Sequence, residues 1–327
     1  MRRDSRILIC GARGLVGSAI IRRLAAEGYG ELLEPTREEL DFTDRAAITR
    51  YFQERRPEYV FMAAARVGGI LANTTYPAEF IRDNLAIELN VIDTAWMSGV
   101  TKLLMLGSSC IYPRESPQPI REEYLLTGPL EPTNAPYAIA KIAGITLCQS
   151  YARQYGARYI SAMPTNLYGP GDNFDLESSH VIPALIRKFH EAKASGATSV
   201  IVWGSGKPMR EFLYVDDLAD ACTFLMERYE DAAPINVGVG EDISIAELAR
   251  LVGQVVSFDG EIMFDLSKPD GTPRKLLDIG RLGALGWTAT TKLEEGLKKT
   301  YEWYVQHGQS GEASRRAARI LLTNARR

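Results

Sequence analysis

Tyr137 and Lys141 stand four residues apart, so within a helix both side chains leave the same face. An ammonium beside a phenol favours the phenolate and lowers a tyrosine pKa near 10 by about one to three units. A phenol tuned in this way passes a proton to or from a substrate oxygen near neutral pH. Upstream, Ser108-Ser109-Cys110 adds a hydroxyl and a thiol where the apolar run 102–107 ends. Of the three histidines, His307 is remote from every motif, and His190 lies ten residues beyond His180, turned to a different face of the same expected helix. That leaves His180 as the candidate acid. A cysteine at a strand end also serves as a small buried hydrophobe, and a histidine as a structural hydrogen bonder, so both readings stay open on residue type alone.

These groups need a scaffold, and the chain supplies one. The apolar run Ile7-Leu8-Ile9-Cys10 leads into Gly11-Ala12-Arg13-Gly14-Leu15-Val16-Gly17 and then a run of helix formers to about residue 27. Strand, glycine turn and helix in that order form a dinucleotide site: the glycines admit a pyrophosphate, and the helix N-terminus faces it with partial positive charge. Further on, Glu34-Pro35-Thr36-Arg37 gives conflicting signals about the ribose. Arg37 and Arg13 suit a 2'-phosphate, whereas an inward Glu34 repels it; the balance favours NADP over NAD. Apolar strands at 7–10, 59–62, 102–107 and 159–163 alternate with helical patterns at 15–27, 78–98 and 137–155. Such alternation predicts an α/β, Rossmann-type doubly wound parallel sheet. Its ligand crevice lies beyond the carboxyl ends of the strands, where Gly11 to Gly17, Ala64-Ala65, Gly107 to Cys110 and Pro164-Thr165-Asn166 all fall.

The expected organisation is a cofactor-binding part over 1–170, its sheet completed by later segments, and a smaller C-terminal α/β substrate part over 171–308. Within the latter, a helix is expected from about Ser179 to Lys193, and a capping box, Ser244 with Glu247, starts another that runs to Val256. Residues 309–327 form a tail with five arginines and one acid, expected to be a solvated end. A net charge of -3 with scattered basic residues argues against nucleic acid as a partner. No apolar run approaches the roughly 20 residues that span a bilayer. The four cysteines, at 10, 110, 148 and 222, have no metal-ligand spacing, so no metal is expected, and they suit a reducing compartment such as the cytoplasm.

Several segments taken together are more specific than any single glycine motif. Gly107-Ser108-Ser109-Cys110-Ile111-Tyr112-Pro113, Pro136-Tyr137-Ala138-Ile139-Ala140-Lys141, Pro164-Thr165-Asn166-Leu167-Tyr168-Gly169-Pro170, Ser179-His180-Val181-Ile182-Pro183 and Met209-Arg210-Glu211-Phe212 resemble the GDP-L-fucose synthase family of extended short-chain dehydrogenase/reductases. The similarity runs from about Arg6 to Tyr304. It implies an NADPH-dependent 3,5-epimerase and 4-reductase acting on GDP-4-dehydro-6-deoxy-D-mannose. In that family the cysteine matching Cys110 removes protons and the histidine matching His180 returns them on the opposite face. Tyr137, Lys141 and Ser108 would then stabilise the oxygen at C4.

The resemblance also carries cofactor contacts onto Gly11 to Gly17, Arg37, Leu40, Asp41, Leu106, Gly107, Ser108, Ser109, Lys141, Pro164, Thr165, Asn166, Leu167 and His180. It carries substrate contacts onto Lys188, Trp203, Arg210, Asp270 and Lys275. Lys188 falls where the family often has arginine. A homodimer is implied, paired through the helices near 78–98 and 137–155. Other readings are a sibling enzyme on another GDP-4-keto sugar, such as a colitose or heptose precursor, a sugar-nucleotide 4-epimerase or 4,6-dehydratase, and a regulatory protein that binds NADP without chemistry.

Overall fold

The computed structural model describes residues 1–308; the arginine-rich segment 309–327 lies outside the described residues. Five strands, β1 (Ile7–Cys10), β2 (Leu32–Leu33), β3 (Tyr59–Met62), β4 (Lys102–Leu106) and β5 (Tyr159–Pro164), join a later strand, Ile235–Val237, in one parallel sheet. Its order is Ile235–Val237, β5, β4, β3, β1, β2, so the direction of winding reverses at β1. Alternation along β1 divides the core. Ile7 and Ile9 pack to one face with helices α1 (Leu15–Ala26) and, later in the chain, Val215–Arg228, while Leu8 and Cys10 pack to the other. That second face is covered by α2 (Arg45–Arg55), α4 (Pro77–Met97) and α5 (Ala135–Tyr155); the short α3 (Ile70–Thr75) precedes α4. Buried on both faces, these strands are apolar almost throughout, which made them readable as continuous runs.

A third cluster gathers α6 (Val181–Ser195), α8 (Ile245–Val256) and the helix Leu293–His307 around the parallel strand pair Ser199–Trp203 and Glu261–Asp265, whereas α7 (the Val215–Arg228 helix) belongs to the first. The capping box at Ser244 and Glu247 is formed: each side chain meets the other's backbone amide. One boundary differs from the expectation. α6 starts at Val181, and His180 is its N-cap residue in extended conformation, so the imidazole stands before the helix instead of on its face. His190, inside the helix, packs on Tyr301 and Tyr304. Among the described residues, no helix is long and apolar enough to cross a membrane, and no cluster of His, Cys, Asp and Glu has the makings of a metal site.

Candidate active site

The cofactor end is made mainly by backbone. β1 ends at Cys10, and Gly11 turns the chain with φ +82°, a conformation that side-chain-bearing residues avoid. The amide of Gly14 donates to the Gly11 carbonyl at 2.9 Å, closing the turn. A Cβ on Gly17 would come to 2.1 Å from the Gly11 oxygen, and one on Gly11 to 2.9 Å from the backbone of Ala64. The first turn of α1 carries no acidic side chain, and its N-cap, Gly14, offers no side-chain acceptor to the amides of that turn. A close-approach loop ahead of amides left for a ligand fits a dinucleotide pyrophosphate. Arg13 and Arg37 are exposed, Ala12 and Leu40 are buried, and Asp41 is occupied locally by accepting from the amide and hydroxyl of Thr43.

The chemical end is assembled from side chains that arrive from distant segments. β4 ends at Leu106, after which Gly107 brings the chain close to Ile145 and Met163. Ser108 caps a short turn of helix over Ser109–Ile111, its Oγ accepting from the Cys110 amide at 3.2 Å, and so fixes the direction of the Cys110 side chain. Cys110 is partly accessible, and the Nζ of Lys275 donates to its sulfur at 3.4 Å. Burial pushes the Cys110 thiol up, but the Lys275 and Arg210 charges and the Ser108 hydrogen bond outweigh it, and the thiol titrates below its ordinary value. The three other thiols are fully buried, and burial drives each of them upward.

Tyr137 interacts with both Ser108 and Cys110, and its ring meets Phe80 edge-on. Here the expectation is corrected. The Tyr137 phenol titrates above its ordinary value, first because it is buried, then because Cys110 and Glu88 place negative charge near it; its hydrogen bond with Ser108 opposes this only in part. Lys141 does lie on the same face of α5, but its Nζ sits 6.0 Å from the Tyr137 ring centre and is engaged elsewhere. It donates to the Leu106 carbonyl at 3.0 Å and pairs with the Glu88 carboxylate at 3.2 Å, with both side chains almost wholly buried. A counter-ion in contact cancels most of the field that Lys141 would exert on the phenol. Glu88 was not singled out by sequence reasoning. It comes from the middle of α4 and reaches α5 only because Gly144 leaves room, since a Cβ there would lie 2.6 Å from a Glu88 oxygen.

His180 is exposed and stands just before α6 as its N-cap residue. Desolvation by the surrounding protein atoms and then the Lys275 charge lower its pKa. The charge of one ammonium, Lys275, therefore acts on both Cys110 and His180. Pro164 ends β5, and Thr165 and Asn166 follow it; the Thr165 hydroxyl and the Asn166 amide both donate to the Glu211 carbonyl, at 3.2 and 2.8 Å, while Leu167 is half-buried.

Of the expected substrate contacts, Trp203 is 51% exposed with Lys188 and Lys268 over its ring at 5.0 and 5.2 Å, forming a flat, cation-flanked wall. Lys188 also donates to the Ile201 carbonyl. Arg210 is half-buried near Cys110 and Gly271. Asp270 instead accepts from the Ser205 amide and hydroxyl at 2.6 and 2.7 Å, so its carboxylate pins the adjoining loop. Lys275 stands at the Cys110 sulfur. Sequence reasoning also gave no role to Glu211, whose buried carboxylate accepts from the amides of Val239, Gly240 and Leu277 at 2.7, 2.8 and 3.0 Å.

The model of the family described as "NAD dependent epimerase/dehydratase family" matches residues 7–240. A GDP-L-fucose synthase from Sinorhizobium fredii is 58% identical over 92% of this chain and 96% of its own length. GDP-L-fucose synthase 1 of Arabidopsis thaliana is 56% identical over 93% of this chain and 94% of its own. The chain belongs to the GDP-L-fucose synthase family. Among solved structures, a GDP-L-fucose synthetase from Naegleria fowleri bound to NADP superposes with a TM-score of 0.88 at 32% identity, covering 95% of this chain and 97% of that one.

Proposed function

We propose that this enzyme performs the NADPH-dependent 3,5-epimerisation and 4-reduction of GDP-4-dehydro-6-deoxy-D-mannose to GDP-L-fucose. The observation that carries this reading is the partly accessible Cys110 thiol, held below its ordinary pKa beside Ser108, Tyr137 and Lys275, whose charge also acts on His180. A ketone at C4 acidifies the hydrogens at C3 and C5, and inversion of either centre needs a base on one face and an acid on the other. Cys110 takes the proton and His180 returns one from the opposite side. Ser108 and Tyr137 donate hydrogen bonds to the C4 oxygen as it gains negative charge. When bound, NADPH supplies a hydride to C4. Tyr137, kept protonated by its raised pKa, is the proton donor to the C4 alkoxide, and the Lys141–Glu88 pair below it holds the floor of the site.

The loop Gly11 to Gly17 would hold the cofactor pyrophosphate, with Arg13 and Arg37 at the 2'-phosphate. Leu40, Asp41, Leu106, Gly107, Ser109, Lys141, Pro164, Thr165, Asn166, Leu167 and His180 would line its remaining length. Trp203, Lys188 and Arg210 suit the GDP end of the substrate, as an aromatic wall and cations for the diphosphate. We assign cofactor binding chiefly to 1–170 and substrate binding chiefly to 171–308, with the segment 215–237 returning to the sheet. A homodimer through α4 and α5 is supported by Leu85, Leu89, Trp96, Ile139 and Tyr155, apolar side chains exposed on those helices. The four cysteines, none of them in a disulfide, suit a cytoplasmic location.

Turnover in heavy water tests the assignment. With GDP-4-dehydro-6-deoxy-D-mannose and NADPH, the product is expected to carry deuterium at C3 and C5. Cys110→Ser is expected to lower label uptake by about 10²-fold or more while NADPH binding persists. Unlabelled product from the wild type, or full labelling by the variant, would refute the epimerase role of the thiol.

A further inference from the structure

A carbon acid next to a ketone is deprotonated by a thiolate; a neutral thiol has no basic strength to offer. Lys275 lies on the short strand Arg274–Lys275, which pairs in parallel with Met209–Arg210 so that Lys275 is the partner of Arg210 in the register. The pairing brings two cations to the side of Cys110, and of the two it is Lys275 that touches the sulfur, at 3.4 Å. Its neighbour Arg274 points away into a bidentate contact with Asp242. We infer that Lys275 is the positioning residue that holds Cys110 as a thiolate ready to act as the epimerisation base, rather than a contact for the nucleotide.

The inference rests on the reading of Cys110 as that base, and it deepens it. Around the sulfur stand Ser108 from the segment after β4, Tyr137 from α5, Arg210 from Met209–Arg210 and Lys275, whose charge also reaches His180. Glu131, Arg114 and Asn134 line the small recess behind Cys110 together with Lys275. Glu131 is the acid in that recess, and it already pairs with Arg114. A fixed ammonium in contact with sulfur stabilises the thiolate directly. During the step the thiolate takes the proton from carbon, the C–H electron pair passes into the enolate, and Lys275 keeps its own protons throughout. The same charge disfavours an imidazolium at His180, so Lys275 sets the two partners of the proton exchange in opposite directions.

Alkylation of the thiol by iodoacetamide tests this with no sugar nucleotide present. Cys10, Cys148 and Cys222 are buried, so labelling followed by peptide mass spectrometry reads Cys110. Rates would be measured from pH 6 to 10 for the wild type, Lys275→Gln and Lys275→Arg. At pH 7 the Lys275→Gln protein is expected to react on the order of tenfold more slowly, its pH profile displaced upward and converging with the wild type at high pH, because the thiolate is the reacting species. Lys275→Arg is expected to restore most of the rate. A Lys275→Gln profile with the wild-type midpoint would overturn the inference, and so would an arginine variant displaced as far as the glutamine one. Failure of Cys110→Ser to affect deuterium uptake would count against the base assignment alone and leave the alkylation result standing.

Discussion

The two ends of the cleft are built by different means. At the proposed cofactor end the groups offered for recognition are backbone ones: a positive-φ turn at Gly11, a contact at Gly17 too close for any side chain, and the uncapped amides of α1. At the proposed chemical end they are side chains from residues 88, 108–110, 137–141, 210 and 275, which come together only when distant segments have folded, with the Lys275 charge reaching His180. A backbone site is specified locally and breaks by steric intrusion. A side-chain site is specified at long range and fails through charge and protonation.

The largest expected effect therefore comes from the smallest added group. Gly17→Ala puts a methyl 2.1 Å from a backbone oxygen that has no room to yield. It is expected to abolish NADPH binding in a fluorescence titration and to destabilise the fold by at least about 3 kcal/mol by chemical denaturation. Tyr137→Phe should do the reverse: ketone reduction, followed by NADPH oxidation, falls about 10²- to 10⁴-fold while cofactor affinity and melting temperature stay near wild type. An equal loss of cofactor affinity in both variants would erase the distinction between the two ends.

Asp172 sharpens the contrast with the smallest effect. It lies in the loop that leads to His180, is 7% exposed, and burial raises its pKa to about 7. With its folded value above its unfolded one, the stability linked to it is present at pH below about 4 and is lost as pH rises toward 7. Asp172→Asn is expected to raise the melting temperature at pH 8 and leave it unchanged at pH 4, the gain in stability at pH 8 being at most about 4 kcal/mol. An identical shift at both pH values would remove the buried carboxylate as its cause.

The same contrast governs what was legible in the sequence. β1, β3 and the glycine loop were readable because their pattern is local and both faces of the sheet demand apolar residues. β2 has two residues, and the strand Ile235–Val237 has three with the buried polar Asn236 at its centre, so neither produced a readable pattern. Cys110 and Tyr137 stood out through residue type and family resemblance, and the family match supports the enzyme class they imply. The partners of these residues did not stand out. Nothing local in Glu88 shows that it will neutralise Lys141, because that contact depends on Gly144 of the neighbouring helix. Lys275 reaches Cys110 through a two-residue strand whose register no periodicity encodes.

Glu211 binds the amides of Val239, Gly240 and Leu277 with one side chain, and its own carbonyl receives Thr165 and Asn166. Four stretches of chain are thereby riveted at a single point under the cleft. Even an isosteric amide at this position would turn an NH₂ group toward an N–H, setting donor against donor in a site closed to water. Shape tolerance and chemical tolerance part company there: the space accepts glutamine, and the hydrogen-bond polarity refuses it.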